Sequence, residues 1–240
     1  MKNYLSSGMG VNSVAMHLML LDQGADFEAV FVNTGADWPE TYEYLDMFQK
    51  WLHSHKHNKI TIITAEYEGV SGLYEYCKYR KILPAMWPRW CTIRFKLDPI
   101  YEYYTTPCFQ YLGIDSGEAK RAKISSMNGV ESRFPLIEHD IDRNQCVEII
   151  KKHNLPVPQK SGCYICPFQK ISDWKRLRRI HPELFCKAVY LEKLNTEYRK
   201  TKNKGKAHLH PSGKQLFNVV EENQMELWSE DKYPPCQCGQ

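Results

Sequence analysis

The sequence predicts an α/β protein: a doubly wound, mostly parallel sheet followed by a C-terminal helical cap that carries a cysteine knuckle. Three observations predict it. Short β-branched apolar runs alternate with segments of helical period from the first residues onward, which calls for parallel strands with helices on both faces. Two of those runs empty into small, glycine-bearing turns, at residues 6–10 and 33–35. Beyond the rigid break at Pro156 and Pro158 come a C-x-x-C pair, Cys163 and Cys166, and two helical stretches rich in Lys and Arg.

The elements follow in order. Tyr4 and Leu5 read as the stub of a buried strand, Ser6 to Gly10 as a turn, and Val14, Leu18 and Leu21 as the apolar face of a first helix over residues 14–22. Gly8 and Gly10 let a backbone approach closely, the helix start leaves N–H groups unpaired, and Ser6, Ser7, Asn12 and Ser13 add donors. That combination suits an anion such as phosphate. A second strand over 28–32 runs into Asn33, Thr34 and Gly35, and Pro39 opens a helix to about His53 with Tyr42, Leu45, Phe48, Gln49 and Leu52 near one face. Residues 60–64 form a third strand, 70–80 a helix, and 82–89, with Pro84 and Pro88, an irregular stretch. A helix from about Thr92 to Tyr104 is bent or begun late at Pro99. A strand over 108–113 and helices over 140–152, 173–180 and 183–194 complete the chain.

Composition narrows the classes. At 240 residues, 42% of them hydrophobic and 25% charged, the chain has the makeup of a soluble globular protein with a real core. No apolar run is long enough to span a membrane, and the N-terminus lacks the pattern of a secretory signal, so a cytoplasmic location is expected. The net charge of +4 is too small to imply nucleic acid by itself, but residues 175–206 hold eleven Lys and Arg against three Glu. Nine cysteines, an odd number, point to metal or reaction chemistry rather than a disulfide framework. There is no Gly-Lys-Ser/Thr of a Walker A loop and no G-x-G-x-x-G, because position 13 is Ser.

The stretch S-S-G-M-G-V-N-S at residues 6–13 resembles the pyrophosphate loop of the adenine nucleotide α-hydrolase superfamily, with Asn12 where Asp is usual. Other stretches are similar to the phosphoadenosine-phosphosulfate (PAPS) reductase family within it. They are N-T-G-A-D-W-P-E-T from Asn33, C-T-I-R-F-K-L-D-P from Cys91, and G-I-D-S-G-E-A-K-R from Gly113, where Asp115 replaces the family's first Arg. The resemblance covers about residues 2–191. It implies a nucleotide-binding α/β domain over 1–155 and a helical region with the cysteine-bearing tail over 156–240.

From that resemblance an adenine nucleotide, with Mg²⁺, is expected on Ser6, Ser7, Gly8, Gly10, Asn12, Ser13, Asn33, Thr34, Gly35, Gly113, Asp115, Glu118 and Arg121. Arg89, Arg94, Lys96 and Arg133 are candidate substrate contacts; Ser13, Lys96 and Cys238 are candidate catalytic residues. Two thiolates at C-x-x-C spacing can grip one metal, and Cys91, in a basic setting, and Cys236 are the candidate partners. A 4Fe–4S cluster and Zn²⁺ both remain open. The leading expectation is cleavage of ATP between its α and β phosphates, adenylation of an acceptor, and sulfur transfer. Sulfite release from PAPS is the second, through a Cys238 thiolate in the tail P-P-C-Q-C-G-Q. A non-catalytic nucleotide- or nucleic-acid-binding protein with a structural metal is the third. Expected partners are a nucleic-acid acceptor, a sulfur or electron donor and a second copy of the chain, with no membrane.

Overall fold

A computed structural model describes residues 1–122 and 127–221. Five parallel strands, β1 (Lys2–Ser6), β2 (Glu28–Asn33), β3 (Thr61–Thr64), β6 (Cys108–Leu112) and β7 (Val130–Arg133), lie in the order β3-β2-β1-β6-β7. A two-stranded antiparallel hairpin, β4 (Glu66–Tyr67) with β5 (Val70–Ser71), stands apart. The chain steps outward from β1 to β3, then returns to the other side of β1. The strand order therefore reverses between β1 and β6, and ligands in open α/β sheets gather beyond the strand ends at that reversal.

Period-two alternation builds both faces. On β1, Tyr4 enters a cluster with Val30, Ile100, Tyr104, Cys108 and Val130, and its ring stacks on Tyr104 at 4.3 Å. Leu5, its neighbour, points the other way, into the core formed with Val14, Leu18, Phe48 and Ile150. That core is closed by α1 (Val11–Asp22), α2 (Pro39–Ser54) and α7 (Arg143–Lys152). Helix α1 is buried on every side from Val11 to Leu20, as a helix sandwiched between sheet and helices must be apolar all round. Past the first turn, which holds Asn12 and Ser13, the polar residue in that stretch is His17, whose ring meets the edges of Phe27 and Phe48 at 5.1 Å each. Burial, reinforced by His57, lowers its pKa to about 3, so it is neutral.

A third cluster lies over the C-terminal ends of the strands. Here α8 (Ile171–Ile180) and α9 (Pro182–Thr201) bring Trp174, Leu177, Phe185 and Leu191 onto Trp38, Phe95 and Tyr164. This is the expected helical cap, and it roofs the functional end of the sheet.

Boundaries depart from the sequence reading where local rules meet tertiary demands. The first helix starts at Val11, and the expected helix over 70–80 is β5 followed by α3 (Leu73–Arg80). The stretch from Trp90 to Tyr103 is helical throughout: α4 (Trp90–Thr92), a wider π turn over Ile93–Leu97, then α5 (Asp98–Tyr103). The Asp98 N–H reaches five residues back to the Ile93 carbonyl, and Pro99 falls in the first turn of α5, where its missing N–H is harmless. The expected helix over 140–152 begins at Arg143, held by an Asp142–Gln145 capping box, with the short α6 (Pro135–Glu138) before it. Helix α9 runs on to Thr201, its basic last turn suiting the C-terminal end of the dipole.

Candidate functional site

Four segments meet beyond the reversal point. The first is the loop between β1 and α1. Met9 takes a positive φ of 53°, an unfavourable conformation for a non-glycine residue, and its buried side chain anchors it there. The Ser13 hydroxyl donates to the Gly10 carbonyl (3.0 Å) and accepts from the Gly10 N–H (3.1 Å). Ser13 thus shapes the loop from within. The first turn of α1 contains no acidic residue of its own. Ser7 is 5% exposed, and among the described residues its hydroxyl has no hydrogen-bond partner.

The second segment follows β6. Gly113 is indispensable to its approach: a Cβ there would stand 2.9 Å from both the backbone N and Cα of Ser13. Just beyond, the Asp115 carboxylate accepts from the Asn12 side-chain amide (2.8 Å) and from the Glu118 N–H (3.1 Å), while Arg143 donates to the Asn12 carbonyl oxygen (2.8 Å). The two departures from the family pattern are therefore bonded to each other. An Asp at position 12 would face the Asp115 carboxylate, whereas Asn12 bridges it to Arg143. Arg143 had no motif to mark it in the sequence. Glu118 and Arg121 pair with one another at 2.5 Å.

The third segment follows β2. Asn33 Oδ1 accepts from the Gly35 N–H and the Tyr42 hydroxyl, both at 2.9 Å, and Gly35 has a φ of 67°. Thr34 donates to Asp37 Oδ2 (2.7 Å) and its Oγ1 lies 3.5 Å from Cys163 Sγ. These residues shape the turn and present Asp37, which the sequence reading did not single out.

The fourth segment is the cysteine knuckle. It is stitched to the β2 turn as a short antiparallel strip: Trp38 N–H to the Gly162 carbonyl (3.0 Å), Tyr164 N–H to the Ala36 carbonyl (2.8 Å), with Asp37 opposite Cys163. Cys163 Sγ is 3.8 Å from Asp37 Oδ1, and Lys96 Nζ is 3.9 Å from the same oxygen. Ser6, Ser7 and Gly8 line one side of a cavity of about 90 Å³ and Asp37 and Lys96 another. The volume suits a single phosphoryl or sulfuryl group. The loop, Asp37 and Lys96 thus share one cleft, and Cys163 adjoins it through its contact with Asp37.

Electrostatics ties the thiols to Lys96. Burial disfavours its charge, but Cys163, Asp37, Cys166 and Cys91 together raise its pKa, keeping the ammonium protonated. Burial, then Asp37, pushes the Cys163 thiol up to about 12, and burial also raises Cys166. Cys77, on α3, joins the neighbourhood unannounced by any motif; burial, then Cys91 and Cys163, holds its thiol protonated. The three described cysteines expected as metal ligands therefore converge. Yet among the described residues no group of three or more His, Cys, Asp or Glu side chains is spaced to hold a metal ion, so no chemistry is routed through one. Cys236 and Cys238 lie outside the described residues.

Other candidates are engaged elsewhere. Arg94 pairs with Asp98 (2.9 Å) and lies over Tyr67, and Arg133 pairs with Glu131 (2.7 Å) and lies over Phe109. On α8, Arg176 packs over Trp38 at 4.6 Å and bonds Glu40, while Arg178 pairs with Glu221. That helix turns two of its cations inward. Arg89, with its guanidinium 5.2 Å from the Phe168 ring, faces a larger cavity beside the knuckle.

Parts of the chain are similar to known proteins. An uncharacterized protein of Methanocaldococcus jannaschii is 23% identical over 179 residues, covering 68% of this chain; the chain spans 41% of that relative's length. The crystal structure of a phosphoadenylyl-sulfate reductase from Candida auris, in complex with phosphate, superposes with a TM-score of 0.49 at 16% identity, over 68% of this chain and 81% of that one. Residues 2–112, which run from β1 through the loop, the β2 turn and Lys96 to the end of β6, match the family model of the phosphoadenosine phosphosulfate reductase domain.

Proposed function

We propose that this chain is an enzyme that binds an adenine nucleotide across the strand reversal and activates it at its α-phosphorus. The observation that carries the reading is Ser7. A buried hydroxyl with no partner is costly, by about 1–3 kcal/mol, unless a ligand completes it. Ser7 lines the same cavity as Gly8 and the protonated Lys96, in the loop that leads into α1. An anionic oxygen there would accept from Ser7 and the loop amides and face the Lys96 ammonium.

With ATP, an acceptor oxygen attacks the α-phosphorus, the bond to the bridging oxygen breaks, and pyrophosphate departs. The loop amides and Lys96 meet the charge that develops. Asn12, Asp115 and Arg143 hold the start of α1 in place, and Ser13 closes the loop. Hydrosulfide attacking the carbon of the adenylated acceptor would form a C–S bond, break the C–O bond and release AMP with no change of oxidation state, and the thiols of Cys91, Cys163 and Cys166 lie on the Lys96 side of that step.

The family match favours a second reading, in which the cavity holds the sulfuryl group of PAPS and Cys238 attacks its sulfur. Ser7→Ala tests the shared premise. It should leave the free protein as stable as wild type or more so, by about 1 kcal/mol, and weaken nucleotide binding roughly tenfold. Unchanged affinity would remove the basis for both readings. Pyrophosphate release from ATP separates the first reading from the second, which requires sulfite release from PAPS that disappears in Cys238→Ser.

A further inference from the structure

Beside the knuckle lies a cavity of about 430 Å³. It is distinct from the phosphoryl-sized cavity at the loop, with no lining residue in common. Ser161 lines it, and a Cβ on Gly10 would meet Ser161 Oγ at 2.8 Å; Cys163 and Cys166 form part of its wall. The reaction proposed above seats one phosphoryl group in the small cavity and assigns nothing to this one.

Its lining combines three kinds of group. Arg89, Arg121 and Lys160 supply cations. Arg121 and Lys160 hold Glu118 and Asp173 in ion pairs with largely exposed cations, at 2.5 and 2.6 Å, which a phosphate can replace at little cost. Arg176 also borders the cavity, but its charge is committed to Glu40, Gln159 and the Trp38 face. Aromatic surface comes next. Phe168 lines the cavity and is 48% exposed. Two residues before Arg89, on the same loop, Trp87 is 88% exposed and offers an open ring face. Last is one acceptor. The Gln169 amide donates its N–H to the Tyr164 carbonyl (2.8 Å), while its side-chain oxygen, in a residue 7% exposed, has no donor.

Cations for phosphates, ring faces for a flat group and a lone carbonyl oxygen for an amino group together describe an unpaired nucleotide. We infer that this cavity is the acceptor site, and that it takes single-stranded nucleic acid by an unpaired base bearing an exocyclic amine, with flanking phosphates on Arg89, Arg121 and Lys160 and a neighbouring base stacked on Trp87. The acceptor role rests on the nucleotide activation proposed above; binding itself does not. A base seated there lies between the loop and the thiols. Stacking on exposed aromatics beside a basic groove is how single strands are held without a duplex groove to read.

The test is equilibrium binding of the full chain to short oligo(C) and oligo(U), in ribo and deoxy forms, and to the duplex of matching length, followed by tryptophan fluorescence over a salt series. Oligo(C) should bind severalfold more tightly than oligo(U), which lacks the amine, and more tightly than the duplex. Three phosphate contacts give a log–log salt slope of about −2, and Lys160→Ala should make it shallower by about 0.7. Trp87→Ala should weaken binding roughly tenfold and abolish most of the quenching. Trp87 and Lys160 are exposed, so neither variant threatens folding. No binding, duplex bound as tightly as single strand, equal affinity for oligo(C) and oligo(U), or affinity indifferent to both substitutions would each overturn the assignment. ATP binding, measured on the same variants, stays at the wild-type level. Its absence in the wild type alongside intact oligo(C) binding would refute the nucleotide reading while supporting this one.

Discussion

Three glycines near the loop form a graded test of its geometry, because an added methyl meets something different at each. At Gly113 it would meet backbone, the N and Cα of Ser13 at 2.9 Å and the Asn12 carbonyl carbon at 3.1 Å. No rotamer relieves a clash with main chain. The start of α1 and the end of β6 must separate by about 0.5 Å to restore ordinary contact. Overpacking of this kind costs about 1–3 kcal/mol. A shift of that size at the anion-binding turn should weaken nucleotide binding by roughly ten- to a hundredfold. At Gly10 the methyl meets only Ser161 Oγ, which can rotate away. Its cost is mainly the poorer N-cap, about 1 kcal/mol, with a small loss of affinity. At Gly8 nothing lies within 4 Å, and the residue borders the phosphoryl-sized cavity. Gly8→Ala should therefore match or exceed wild-type stability, by about 0.4–1 kcal/mol through the unfolded chain, yet bind nucleotide poorly because the methyl stands where the anion sits. Denaturant unfolding and calorimetric titration with ATP on the three variants read both quantities. Stability should rank Gly8→Ala, Gly10→Ala, Gly113→Ala from highest to lowest, while affinity should rank Gly10→Ala above the other two. A Gly113→Ala protein indistinguishable from wild type would refute the close approach of α1 to β6, and a Gly8→Ala protein with full affinity would refute the loop as the anion site.

His17 makes the fold acid-sensitive. Its folded pKa is depressed to about 3, so the unfolded chain binds the extra proton first, and stability is complete above about 6.5 and declines as pH falls toward 3. The loss is about 2 kcal/mol by pH 5 at 1.4 kcal/mol per unit. His17→Leu should flatten that stretch of the stability–pH curve in denaturant unfolding at pH 5 and 8; an unchanged slope would count against the buried neutral ring. Thiol accessibility offers another check. In a Cys236→Ser/Cys238→Ser background, mild alkylation at pH 8 should label exposed Cys186 first and leave Cys163, with its pKa near 12, unmodified, as peptide mass mapping would show. Early labelling of Cys163 would place the knuckle in solvent. Finally, Asp142→Ala removes the cap of α7, whose Arg143 steadies Asn12, and should cost about 1 kcal/mol in unfolding free energy with a measurable loss of ATP affinity. Loss of stability without any loss of affinity would show that Arg143 does not act on the loop.

Much of the fold and part of the site could be read from local pattern. Strand and helix alternate in sequence because parallel strands need crossover helices, and so the sheet is visible as a rhythm. The loop at residues 6–13 is visible because a close anion needs small residues and free amides at one point in the chain. The hairpin β4–β5 and the edge strand β7 were not legible: two-residue strands have no period, and V-E-S-R at 130–133 carries a single strongly apolar residue. Asp37 and Trp38 sat inside a recognised motif, but their roles come from the knuckle strip that pairs with them.

What the sequence determined by itself is therefore what depends on neighbours along the chain: the α/β class, the small-residue turn between β1 and α1, and the close spacing of Cys163 and Cys166. Tertiary structure alone decided the rest, because those contacts join residues far apart in sequence. Asn12 is bonded to Asp115 and Arg143, more than a hundred positions away, and Cys163 stands against Asp37 across a similar interval. Charge and hydrogen-bond capacity can be listed from a sequence, but an electrostatic partnership depends on distance through space. Only the returning strand order, which sets β6 beside β1 and the cap above both, brings those distances down to a bond length.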